Sequence, residues 1–135
     1  TLLASSAASD VYKRQIVDQY LRRGLLPDHI TSICRSYKAQ LDAMLSELST
    51  FPEGTTYTRP DGGLFIFVTL PEGIDAKELL EQAVKRHVAY VPGTHFFCDG
   101  GHENTLRLNF SNSSIAQIHE GMSTLREIFA QALVK

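Results

Sequence analysis

The chain has 135 residues, 43% of them hydrophobic and 21% charged, with a net charge of −2 and a pI near 6.2. That fits one ordinary globular domain or a piece of a larger one. The mild acidity gives no reason to expect nucleic acid or an anionic membrane surface as partner, and no apolar run approaches the roughly 20 residues that span a bilayer.

Leu2-Leu3-Ala4 is too short for the apolar part of a secretion signal and follows no basic residue, so the cytoplasm is the expected compartment. Cys34 and Cys98 are the two cysteines, far apart and outside any CxxC pattern, which argues against a disulfide framework.

Residues 1–15 differ from the rest of the chain. Ser5-Ser-Ala-Ala-Ser9 is small and featureless, and Val11-Tyr-Lys-Arg-Gln15 has no amphipathic period. The segment is expected to be a leader that is non-native or disordered, with a domain over 16–135. Ile16, Val17, Tyr20 and Leu21 make a short helical stripe that Gly24 is placed to stop. A second helix begins at Pro27-Asp28 and carries Ile30, Ile33, Cys34, Tyr37, Leu41, Met44, Leu45 and Leu48 at three-and-four spacing over about five turns. Cys34 lies on that stripe and is expected to be a buried, inert thiol.

Phe51-Pro-Glu-Gly54 breaks the chain, and 55–58 reads as a short strand. Arg59-Pro-Asp-Gly-Gly63 turns into an apolar strand over 64–70. Asp75-Ala-Lys-Glu78 has capping-box spacing ahead of a helix whose apolar face holds Leu79, Leu80, Ala83 and Val84. Val88-Ala-Tyr-Val91 reads as a strand, Thr94 to Asn104 as a loop, and 105–110 as a strand. Ser114-Ile-Ala-Gln117 is a second capping box, opening a helix with Ile118, Met122, Leu125, Phe129 and Leu133 on its inner face. The expected fold is α/β, in an α+β-like form: a small sheet covered by helices.

Thr105-Leu-Arg-Leu-Asn-Phe-Ser111 is the segment that bears on function. Its alternation is that of a half-buried strand, yet Arg107 stands in the middle. A guanidinium among apolar neighbours is costly to bury unless it meets an anion, and its planar fork suits a carboxylate. An ordinary ion pair with another element is the plain alternative.

His95, Cys98, Asp99 and His102 place four metal-ligand types within eight residues, but their spacing is not that of a standard finger, and no metal site is assigned. Glu78 with Glu81, and Asp42 with Glu47, have the spacing of solvated helix-surface charges.

From Ile16 to Leu133 the chain resembles the C-terminal small domain of fold-type I, pyridoxal phosphate (PLP)-dependent aminotransferases of class I/II. Its nearest look is to the 2-aminoadipate and broad-specificity amino-acid branch. The residues that carry the likeness are Pro60-Asp-Gly-Gly-Leu-Phe-Ile-Phe-Val68, Leu70-Pro-Glu-Gly-Ile-Asp75, Val91-Pro-Gly-Thr-His-Phe96 and Asn104-Thr-Leu-Arg-Leu-Asn-Phe-Ser111. The resemblance implies that Arg107 binds the substrate α-carboxylate, that the partners are an amino acid and a 2-oxo acid, and that the intact parent is a homodimer using PLP.

None of Lys13, Lys38, Lys77, Lys85 and Lys135 has the surroundings of the family's Schiff-base lysine, so this segment alone is expected to be inactive, with no catalytic or cofactor-binding residue assigned. The other reading is the effector-domain tail of a winged-helix transcription regulator, whose C-terminal portion looks similar.

Overall fold

A computed structural model describes the backbone of residues 2–134 and the side chains of residues 10–134. The described residues fall into two compact units that divide after Ser36. The first holds α1 (Leu2–Arg22) and the start of α2 (Leu26–Leu48). Helix α1 begins well before the expected Ile16: no glycine or proline interrupts residues 2–23, and alanine and serine offer no steric bar to helix. Tyr20 donates its phenol to the Leu25 carbonyl at 3.3 Å and meets the His29 ring edge-on.

The stripe expected to be inward-facing here is solvent-facing. Ile16, Val17, Leu21 and Ile30 are exposed, and so is Cys34, correcting its expected burial. Helical spacing aligned these residues on one face, and the first unit leaves that face uncovered.

The second unit is a four-stranded sheet in the order β1-β2-β4-β3, with every pair antiparallel, packed on helices. The strands are β1 (Thr56–Tyr57), β2 (Phe65–Thr69), β3 (Val91–Pro92) and β4 (Thr105–Asn109). Helix α3 (Ala76–Lys85) joins β2 to β3, a 3-10 turn (Gly93–Phe96) follows β3, and α4 (Ile115–Ala132) ends the described chain. This is the expected small sheet covered by helices. Gly63, at φ +85, takes the left-handed step that turns the chain into β2.

Alternation along the strands sorts the side chains to two faces. Ile66, Val68, Leu106 and Leu108 point to one face and are buried with Leu41, Met44 and Leu48 of α2, Ala83 of α3, and Ile118, Met122, Leu125, Ile128 and Phe129 of α4. The helix starts follow the sequence. The Asp75 carboxylate accepts from the backbone N–H groups of Lys77 and Glu78, and Ser114 and Gln117 form a reciprocal capping box.

Two inward assignments change: Val84 is exposed, and Leu133 is the exposed C-cap of α4. The strand expected over 88–91 pairs only at Val91–Pro92, and His87, ahead of it, takes a left-handed φ of +62. Glu47, expected to be solvated, is half-buried and holds the His119 ring nitrogen Nδ1 at 2.6 Å, tying α2 to α4.

Tyr90 locks the approach to β3. Its buried phenol donates to the Ala76 carbonyl at 2.7 Å, and burial, with Asp75 adding, pushes its pKa well above the ordinary range. The unfolded phenol ionises first, near its usual value of about 10, so this stability is present below that pH and is lost as pH rises toward the higher folded value. Urea titrations should therefore lose up to about 1.4 kcal/mol per pH unit above that point. Tyr90→Phe should abolish this share of the alkaline slope and cost about 1 kcal/mol at neutral pH. An unchanged slope in the phenylalanine variant would contradict the assignment.

Candidate functional site

The other face of the sheet carries Phe65, Phe67 and Thr69 from β2, Val91 from β3, and Thr105, Arg107 and Asn109 from β4. Arg107 stands at its centre, directly across from Phe67 on one side and Val91 on the other. The sequence sets it there by simple alternation, because burying Leu106 and Leu108 sends the residue between them to the opposite face.

Its guanidinium carbon lies 4.2 Å from the Phe65 ring centroid and 4.7 Å from that of Phe96. No ion pair to Arg107 forms among the described residues, which disfavours the plain alternative of an internal salt bridge. Nε is buried without a hydrogen-bond partner. A half-buried guanidinium with no anion of its own among the described residues can receive a carboxylate there, two N–H groups to two oxygens.

The loop after β3 closes one side of the site. Gly93 passes so close to β4 that a Cβ on it would lie 2.0 Å from Thr105 Oγ1 and 2.7 Å from Thr105 Cβ. Only glycine permits that approach, which fixes where the 3-10 turn leaves the sheet and so where Phe96 ends up. Phe67 meets Phe96 and Phe97 edge-on at 6.3 and 6.1 Å, and Phe97 stacks on His102 at 3.7 Å. Gly93→Ala should cost about 1–3 kcal/mol in urea denaturation, as overpacking does. Adding Thr105→Ala should restore only part of it, since Thr105 Cβ would still lie in the way. Full recovery would show that the hydroxyl alone sets the approach.

The remaining sequence candidates lie elsewhere. No three His, Cys, Asp or Glu side chains among the described residues converge as metal ligands. Lys13 and Lys77 are exposed, Lys38 pairs with Asp42 at 2.6 Å, and Lys85 pairs with Glu81 at 2.8 Å. The last pairing also lowers the Glu81 pKa. Lys135 lies outside the described residues. A Schiff base to PLP needs a lysine in a cofactor pocket, and these surface lysines do not fit that group. The Phe65 and Phe96 contacts to Arg107 were not anticipated. The alternation puts Phe65 and Phe67 on one face, but only the strand register brings that face to Arg107.

No family model matches the chain. It is 42% identical over 128 residues to aromatic-amino-acid aminotransferase 1 of Thermococcus litoralis, a match covering 94% of this chain and 31% of that protein. Among solved structures it superposes on the kynurenine aminotransferase of Pyrococcus horikoshii, in complex with PMP, kynurenine and its product. The TM-score is 0.77 at 46% identity, over 84% of this chain and 28% of that one. The relatives and structural neighbours that this chain matches are fold-type I aminotransferases.

A second aminotransferase structure, the α-aminoadipate enzyme of Thermus thermophilus bound to N-(5'-phosphopyridoxyl)-L-leucine, matches 74% of this chain and 26% of its own at 40% identity and TM-score 0.69. The chain thus spans about a third of the length of the curated relatives it matches. A helix-turn-helix transcriptional regulator of Bacillus subtilis is also similar, at 27% identity over 81% of this chain and 22% of its own length.

Proposed function

We propose that the chain is the substrate-clamping small domain of a PLP-dependent amino-acid aminotransferase, in which Arg107 binds the α-carboxylate of the amino acid and, in the reverse half-reaction, of the 2-oxo acid. The observation that carries the reading is Arg107 itself: a strand-borne guanidinium, flanked by two rings, with no anionic partner among the described residues.

Its contribution is orientation. A bidentate grip fixes both carboxylate oxygens, and so the direction of the Cα–H bond, before any proton moves. The apolar rings around it lower the local dielectric and strengthen that grip. The described lysines do not fit PLP, so binding and orienting substrate is the role derived for this chain. In the parent enzyme PLP would supply carbanion stabilisation. We place that parent in the cytoplasm as a homodimer. No described helix is long and apolar enough to cross a membrane.

The regulator reading has one observation in its favour, the 27% identity to the Bacillus subtilis protein. The enzyme reading is preferred because the aminotransferases reach 42% identity over more of the chain. Substitution of Arg107, with affinity for both substrates set against cofactor occupancy, tests the proposal.

A further inference from the structure

The Arg107 guanidinium is held by ring faces instead of by an anion. The two rings come from separate parts of the chain: Phe65 from β2, one pleat along from the residue that pairs with Arg107, and Phe96 from the end of the 3-10 turn. Both remain substantially exposed, at 41% and 46%. Burial alone therefore does not explain their placement, since a phenyl ring gains most when it is fully covered.

Arginine has many rotamers, and a binding fork is useful only if its donors point one way. A carboxylate neighbour would fix the side chain but also occupy the fork. A ring face attracts the cation and uses none of its N–H donors. The rings are themselves fixed: Phe96 by its edge contact with Phe67 and by the tight Gly93–Thr105 approach, Phe65 by its place in the β2–β4 ladder.

We infer that Phe65 and Phe96 are positioning residues that set the orientation of the Arg107 guanidinium and use none of its N–H donors. The purpose rests on the carboxylate-clamp reading; the geometry does not.

The test uses the chain itself, labelled with nitrogen-15 in arginine, and follows the Arg107 Nε–H signal, assigned by its loss in Arg107→Lys. In the unsubstituted chain the signal should already be displaced by the two ring currents. Phe65→Leu and Phe96→Leu should each move it toward the position of exposed arginines and weaken binding of sodium acetate, read at the same signal, by about two- to fivefold. Phe96→Tyr, which keeps a ring face, should preserve both. Unmoved backbone amides of Leu106 and Leu108 would show that the sheet is intact.

A signal at the ordinary exposed position in the unsubstituted chain overturns the inference whatever the variants do. So does a signal and an acetate affinity that ignore the loss of both rings while acetate still binds; in that case the clamp reading survives alone. If the signal follows the rings but acetate binds nowhere near Arg107, the positioning stands and the carboxylate reading falls.

Discussion

In the whole enzyme of the proposed reading, Arg107→Lys should raise the KM for the amino acid and for the 2-oxo acid together, by about 100-fold, while PLP absorbance at saturation should stay unchanged. The size follows from what is removed. Charge-assisted hydrogen bonds contribute about 1.5–3 kcal/mol each, and lysine, a point charge on a flexible stem, cannot reproduce the planar fork. A net loss near 3 kcal/mol corresponds to about two orders of magnitude in affinity.

Lysine is the informative replacement because it keeps the positive charge and can still lie over Phe65 and Phe96, which flank the native guanidinium. What it loses is the bidentate geometry. The two substrates must move together, since both present the same carboxylate. A rise in one constant alone would mean that Arg107 reads something other than the shared group. No change in either would remove it from the site. Loss of cofactor would point to a fold-wide effect, which the half-buried, unpaired position of Arg107 on the open sheet face does not lead one to expect.

The legible part of this molecule is the part that depends on neighbours in sequence. Asp75 and Ser114 cap helices whose starts are written within four residues, and both caps form. The alternation in β2 and β4 gave the two faces, and the free-energy cost of a strand-borne arginine singled out Arg107. Periodicity does not report what lies opposite. Cys34 sits on a faultless apolar stripe and is exposed, because a stripe says which way a face points and nothing about whether it is covered.

Glu47 fails in the other direction. Its spacing reads as solvated surface, yet it meets His119, 72 residues away. Likewise the ring of Phe96 reaches Arg107 only through the Gly93 approach to Thr105, a contact between segments that no local pattern encodes.

Phe129→Ala is expected to cost about 3–5 kcal/mol in urea denaturation, enough to consume a large share of the roughly 5–15 kcal/mol that holds a typical domain folded. Phe129 is fully buried on α4, where it meets the Phe51 and Tyr90 rings at centroid distances of 6.0 and 5.9 Å. Alanine there forfeits the transfer free energy of the ring, leaves a cavity that three helices and a sheet cannot readily close, and breaks two aromatic contacts at once. Phe129→Leu keeps most of the volume and should cost less than half as much.

The loss should be felt at the site as well. Tyr90 leads into Val91, and Val91 pairs with Arg107, so loosening Tyr90 frees the edge strand from which the Gly93–Phe96 turn departs. At urea concentrations where the alanine variant is still folded, acetate binding at Arg107 should weaken while the leucine variant binds normally. A Phe129→Ala cost under about 1 kcal/mol would mean that α4 does not pack as described. Full destabilisation with undisturbed binding would mean that the open face of the sheet holds its arrangement without support from the core beneath it.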